Sequence, residues 1–228
     1  PTPAPRATVA QMFPFSVGRF IEYDQYDTTT ASGSAPTITQ SRASSTVLGT
    51  GLTYQGSTGV EYLRDSSQII SGSASTSDLH YRATTAGDIQ IFADRSIVGS
   101  VLPSAYAGNV AAPNTFVDYL KMSAGEKVSY PIAVLHDTMT YNGTTILITI
   151  TTTGSFIDSE RVVVPRGTYD HAYRFDIAAN VQLATSLFGT SIPLGSFVAT
   201  QSLFVVQGIG IVRSVLPTAG TTIQGNAI

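Results

Sequence analysis

Val134-Leu135-His136-Asp137-Thr138-Met139-Thr140-Tyr141, then Asn142-Gly143, then Thr144-Thr145-Ile146-Leu147-Ile148-Thr149-Ile150-Thr151: two β-rich runs flank a dipeptide whose residues both tolerate positive φ. A type I′ turn needs that tolerance, so the stretch reads as a β-hairpin. Side chains alternate along a strand, which turns Ile146, Ile148 and Ile150 to the core and Thr145, Thr149 and Thr151 outward. Asn142-Gly-Thr also matches a glycosylation acceptor, but the two-residue turn explains it better.

A second hairpin follows. Ser159–Val164 leads into Pro165-Arg166-Gly167, where Pro presets one turn corner and Gly relieves strain at the next, and Thr168–Asp176 returns. Working outward, further strands are expected at Phe20–Tyr26, Ser45–Leu48, Gly59–Asp65, Leu79–Ala83, Ile89–Ala93, Gly125–Ile132, Gln182–Phe188, Phe197–Gln207 and Ile209–Val215. The Ser/Thr/Gly-rich stretches Thr28–Thr37 and Ser71–Ser77 read as long loops. Helix evidence is confined to Thr115–Met122, where Asn114 is a potential cap and Phe116, Tyr119 and Leu120 have i, i+3, i+4 spacing. The same eight residues fit a bulged strand equally well.

Composition agrees with a β protein of modest polarity. Apolar residues make up 43% of the 228 and sit in patterned runs, which argues against disorder. Charged residues are only 12%, about half the usual ~25%, with lysine confined to Lys121 and Lys127. A net charge of -3 without a basic stripe makes nucleic acid and anionic membrane poor partners. The absence of cysteine removes disulfides, thiolate metal sites and a Cys nucleophile. No apolar run reaches the ~18–20 residues of a membrane helix. The opening Pro1-Thr-Pro-Ala-Pro5-Arg has no core-forming pattern and reads as a tether following a removed signal peptide or lipid-anchored residue. The organisation expected is a Pro-rich tether at 1–12, a single β domain at 13–216 and a tail at 217–228.

Motifs echo between the halves of that domain. Phe13-Pro14-Phe15-Ser16-Val17-Gly18-Arg19-Phe20-Ile21-Glu22-Tyr23 is answered by Leu120-Lys121-Met122-Ser123-Ala124-Gly125-Glu126-Lys127-Val128-Ser129-Tyr130. Leu52-Thr53-Tyr54 is answered by Gly167-Thr168-Tyr169, and Val101-Leu102-Pro103 by Val215-Leu216-Pro217. The offsets are all roughly 110 residues, in constant order, as a duplication requires. Two pseudo-repeats are therefore expected, about 13–104 and 115–216, with a joint near Pro103–Pro113. Each would be a β-meander, and the two would join into one broad, curved antiparallel sheet, a half-barrel with a concave face to be covered.

At these motifs the chain resembles a loose family of exported bacterial β proteins, often lipoproteins, the DUF3108 or TapB-like group. That family opens with Phe-Pro-Leu-x-Val-Gly-Asn-x-Trp-x-Tyr, matched here by Phe13–Tyr23. Its Val-Pro-Ala-Gly-Thr-Phe/Tyr hairpin is matched by Val164–Tyr169, and its closing Gly-Val/Ile-Gly-Leu-Val-Lys by Gly208–Arg213. The chain departs from the pattern in lacking Trp, whose place falls on Ile21 with Phe20 beside it standing in, and at Arg19, in place of Asn. The resemblance implies a half-barrel similar to periplasmic lipoprotein carriers, which hold acyl chains in the concave face.

Chemistry-bearing groups are sparse. His136-Asp137 and Asp170-His171 lie on the two hairpins, and pairing of these hairpins would bring His136 and His171 toward one carboxylate, as in a two-His-one-carboxylate metal site. Neighbouring residues point to opposite faces of a strand, however, so only one of each His-Asp pair can serve such a site. His136, His171 and Asp170 are thus weak metal candidates, and solvent-facing polar residues are the default. His80 stands apart. Serine is abundant, but no Gly-x-Ser-x-Gly elbow is present. Gly208-x-Gly210 lacks the third Gly of a dinucleotide loop. Glu22, Asp24 and Asp27, interleaved with Tyr23 and Tyr26, read as the wet and dry faces of an edge strand rather than a Ca²⁺ or sugar site.

The expectation is a non-enzymatic exported protein, periplasmic, outer-membrane-associated or extracellular, with no cofactor. Its partner would be a lipid or other apolar ligand in the concave face, or a larger envelope assembly. A structural subunit of a self-assembling surface filament is the second reading, and an envelope hydrolase the third.

Overall fold

The computed structural model describes residues 8–29, 35, 37–69, 74–94, 111–141, 144–164, 167–187, 190–215 and 222–223. Among the described residues the protein is all-β: two antiparallel sheets of six and five strands, no closed barrel and essentially no helix. Two compact units divide the chain, Phe15–Arg82 and Ala83–Ile228 with Pro1–Pro14.

In the first unit, β1 (Phe20–Thr29), β2 (Thr37–Tyr54), β3 (Ser57–Ile69) and β4 (Ala74–Ala83) follow one another as a meander. Of the long loops expected at Thr28–Thr37 and Ser71–Ser77, the described ends are strand, since β1 runs on to Thr29, β2 starts at Thr37 and β4 starts at Ala74; 30–34, 36 and 71–73 lie outside the described residues. Ser and Thr are β-compatible once a neighbouring strand offers ladder partners, and tertiary pairing overrides the loop-like composition.

In the second unit, β5 (Ile89–Ala93) pairs with β6 (Thr115–Leu120). The segment that fitted either helix or bulged strand is the bulged strand, with a register shift between Ile89 and Gln90. Phe116 meets Phe92 edge-on at 5.3 Å, and Leu120 is fully buried. The five-stranded sheet comprises β7 (Ser129–Tyr141), β8 (Thr144–Val164), β9 (Gly167–Leu187), β10 (Thr190–Val206) and β11 (Gly210–Val215), in chain order, with the short β12 (Thr222–Ile223) also on β10.

Both expected hairpins are present, and they share a strand. Tyr141 lies opposite Thr144, and Val164 opposite Gly167, each pair bracketing two residues. The turn tips Asn142-Gly143 and Pro165-Arg166 lie outside the described residues. The runs read separately as Thr144–Thr151 and Ser159–Val164 are one strand of 21 residues, and β9 has the same length. At ~3.3 Å per residue each extends roughly 70 Å, several times an ordinary strand. Ile148 and Ile150 are buried as the alternation predicts, packing with Leu135, Ala179, Val181 and Phe197. Each such side chain contributes ~1.5–3 kcal/mol of burial free energy.

The meanders do not join into the one continuous sheet that the sequence suggests, because the chain turns sharply between β6 and β7. Asp88, 4% exposed, accepts hydrogen bonds from the Met122 and Ser123 amides at 2.9 and 3.1 Å and from the Ser123 hydroxyl. Gly125 and Lys127 then take positive φ, 101° and 57°. After an isolated bridge of Glu126 to Phe156, strand pairing resumes at Ser129 rather than at Gly125, and with β8 instead of β6. Tyr130 ties the turn down: its hydroxyl donates to the Tyr119 carbonyl at 2.8 Å and accepts from the Lys121 amide at 3.1 Å. Its ring lies over Gly154, the one residue type that leaves room for it.

The described end of the segment expected as a tether is packed instead. Residues 1–7 lie outside the described residues, but Val9–Met12 form a helical turn, α1, with Val9 and Met12 fully buried. The Ala10 amide donates to the Gly87 carbonyl at 2.8 Å, and the Thr8 amide to Gln11 Oε1 at 2.9 Å. Two apolar residues at i, i+3 spacing suffice to dock this short turn.

One pair in the internal echo fails. Tyr54 closes β2, whereas Tyr169 sits near the start of β9, so these motifs are not equivalent.

Candidate functional site

The β1–β4 ladder presents two faces with different chemistry. Ile21, Ser45, Asp65 and Ser77 lie side by side across the four strands, and Tyr23, Ala43 and Ser75 share their face two residues along. The opposite face carries Glu22 paired with Arg42 at 3.3 Å. It also carries Arg64, which contacts Asp78 at 2.8 Å and donates to the Tyr62 hydroxyl at 2.9 Å. His80 belongs there too, stacked between Tyr54 and Tyr62 with ring centroids 3.7 and 5.0 Å away. Those charges are mutually satisfied and exposed.

Asp65 is different. It is a carboxylate at an inward-facing position of a period-2 strand, and its Oδ1 has no hydrogen-bond partner among the described residues. A cavity of about 220 Å³ opens beside it, lined by Tyr23, Ser44, Ser66, Ser75 and Ser77. Burial pushes the Asp65 carboxyl above its ordinary value, partly offset by a hydrogen bond from Ser45. Burial also pushes the Tyr23 phenol up to about 12, with the Asp65 charge adding to the rise and Arg19 opposing it. At neutral pH Tyr23 is therefore a neutral hydroxyl able to donate.

A carboxyl whose folded-state pKa is raised favours folding when protonated. That contribution is present below the unfolded value, about 4, and is lost as pH rises through the folded value. The unfolding free energy of the wild type should therefore fall, relative to Asp65→Asn, as pH rises from about 4 toward neutrality. Urea denaturation across this range measures it; parallel pH curves for the two proteins would rule out the strained carboxylate.

No family model matches the chain, and no curated protein or solved structure is significantly similar to it.

The weak metal candidates are not brought together. His136 faces Thr149 across the sheet, with Nδ1 3.2 Å from its hydroxyl, and Thr149 in turn faces Gln182. His171 lies at the other end of β9, roughly 35 Å along the strand from Gln182. Asp170 is engaged by Arg161 at 3.4 Å, and Asp137 accepts from the Thr138 amide at 2.6 Å. No group of three His, Cys, Asp or Glu among the described residues is placed to hold a metal ion. Of the acidic set on β1, Glu22 is paired with Arg42 and Asp24 is exposed. The Asp27 side chain lies outside the described residues.

Sequence reading missed Asp65. The signal was available in the parity of β3, where Leu63 and Asp65 occupy the same inward register and a charge at such a position demands an explanation.

A second surface belongs to the five-stranded sheet. Val134, Thr151, Asn180 and Val198 form one cross-strand row, and His136, Thr149, Gln182 and Ser196 the next row on the same face. Val134 and Val198 are each 55% exposed. These two rows contain no Lys, Arg, Asp or Glu.

Proposed function

We propose that this chain is a non-enzymatic envelope or surface protein that works by docking onto a larger assembly through its five-stranded sheet. The observation that carries this reading is the pair of 21-residue strands, flanked by a 17-residue β10, with a charge-free outward row ending in exposed valines. Exposed edges and faces that remain monomeric are normally blunted with charge; these two rows carry none, and charge returns on the same face only further along β9, at the Arg174–Asp176 pair.

Two further features support a structural role. The ladders β1–β4 and β7–β10 both follow chain order and begin roughly 110 residues apart. Gly18 and Gly125, just before β1 and β7, both take positive φ. Duplication of one meander accounts for this, and a duplicated sheet is a natural unit for building extended surfaces. An acyl-chain carrier is less well served. Ligand pockets usually measure ~300–1,000 Å³ with apolar walls, whereas the cavity beside Asp65 is smaller and serine-walled.

The test is the double variant Val134→Lys, Val198→Lys. Both side chains are exposed, so its stability should stay within about 0.5 kcal/mol of wild type by urea denaturation. Sedimentation of the native protein from its own cells should give a high-mass complex that the variant fails to enter. A wild-type monomer carrying co-purified lipid in native mass spectrometry would overturn docking and restore carriage.

A further inference from the structure

We propose that the cavity on the inward face of β1–β4 is a binding site for a small primary ammonium ion, held by Asp65. The inference is independent of docking, which concerns the other unit.

The argument begins with charge. Asp65 lies between Ser45 and Ser77 across the sheet, on a face that carries Glu61 and Arg19 further along, and one of its oxygens is buried without a hydrogen-bond partner among the described residues. Among the described residues, burial and the Ser45 hydroxyl are the influences on its ionisation, and no cationic side chain is one of them. Arg19 acts on Tyr23, its neighbour on this face, rather than on Asp65. A part-buried carboxylate with one oxygen left unpartnered is costly and is retained where something completes it.

The completing group must donate and be positive. A divalent cation such as Ca²⁺ takes six to eight oxygen ligands, usually with several carboxylates. Here there is one carboxylate, and no group of three metal-ligating side chains is present among the described residues. An alkylammonium needs only three acceptors around one nitrogen. The unpartnered Asp65 oxygen supplies the charged acceptor, and the Ser75 and Ser77 hydroxyls on the same face are the complementary neutral ones. The Tyr23 ring flanks the same space, and aromatic faces attract ammonium ions. Size sets the rest of the class. At ~30 Å³ per water, a cavity of about 220 Å³ holds roughly seven waters, and so a molecule of about that many heavy atoms. Small primary amines and amino alcohols fit within it.

The experiment uses the full chain, with ethylammonium chloride as probe at pH 7.5 and its binding followed by NMR of the tyrosine rings and by calorimetry. Tetramethylammonium, which has no N–H, glucose and CaCl₂ serve as comparisons. Ethylammonium is expected to give saturable shifts in the millimolar range, at least roughly ten-fold tighter than tetramethylammonium. Asp65→Asn, nearly isosteric, should abolish the shifts while leaving the circular dichroism unchanged. Should that variant not fold, the wild type carries the same test: affinity must fall as acid protonates Asp65, and Ser77→Ala must weaken binding. Absence of saturation at ~50 mM, binding undiminished by Asp65→Asn or by acid, or preference for glucose or Ca²⁺ would each overturn the assignment.

Discussion

Gly154→Ala is expected to destabilise the protein by about 2–4 kcal/mol, and Gly154→Val to prevent folding of the five-stranded sheet altogether. A Cβ at this position would stand 2.5 Å from both Cε2 and the hydroxyl oxygen of Tyr130. Tyr130 has little freedom to move aside. It is 4% exposed, pairs with Gly154 in the β7–β8 register, and is fixed through its hydroxyl to Tyr119 and Lys121. Displacing the ring therefore breaks two hydrogen bonds at the turn between the sheets as well as the packing. Tyr130→Phe isolates the hydroxyl and should cost about 1–2 kcal/mol. Tyr130→Ala should make Gly154→Ala nearly free, because the clash then has no partner. Urea denaturation of the four proteins forms a complete cycle. A Gly154→Ala variant within 0.5 kcal/mol of wild type would mean that the ring does not lie where described.

Asp88→Ala should cost about 3–4 kcal/mol, the second large effect. The carboxylate is the common acceptor for two backbone amides and a hydroxyl, and removing it leaves these three part-buried donors without their acceptor. Its own amide is also engaged, donating to the Thr84 hydroxyl at 3.1 Å, so the residue is fixed from both sides. Asp88→Asn retains one carbonyl acceptor but turns an NH₂ toward existing donors, and is expected to recover about half of the loss. Hydrogen exchange localises the effect: the Met122 and Ser123 amides should lose protection ahead of β8 and β9. Loss of protection spread evenly over the sheet would contradict the role given to this turn.

The two chain reversals that matter most to the fold, between β7 and β8 and between β6 and β7, were unequally legible. Asn142-Gly143 announces itself, since a dipeptide tolerant of positive φ between β-rich runs has few other uses, and the strands on either side pair in the register that it dictates. The reversal between β6 and β7 has no such local signature. It depends on Asp88, some 35 residues away in sequence, and single-chain patterns do not reveal which distant carboxylate will cap a turn. For the same reason Gly125–Ile132 read as a strand throughout, although its first four residues form the turn. Phe116, Tyr119 and Leu120 satisfied helical spacing by coincidence; the ladder offered by Ile89–Ala93 decided the matter. The site was less legible than the fold. His136 and His171 drew attention as residue types, yet the register separates them along β9. Asp65 lay in a serine-rich strand without a motif, and it became conspicuous only once its face was known to be inward.

Photo-crosslinking tests the docking account most directly. A photoreactive residue at Val134 or Val198, in the protein produced in its own cells, is predicted to give discrete protein adducts, while the same residue at Val163, on a different row and 66% exposed, gives far fewer. Equal labelling at all three positions, or adducts of lipid mass alone, would contradict docking through the five-stranded sheet.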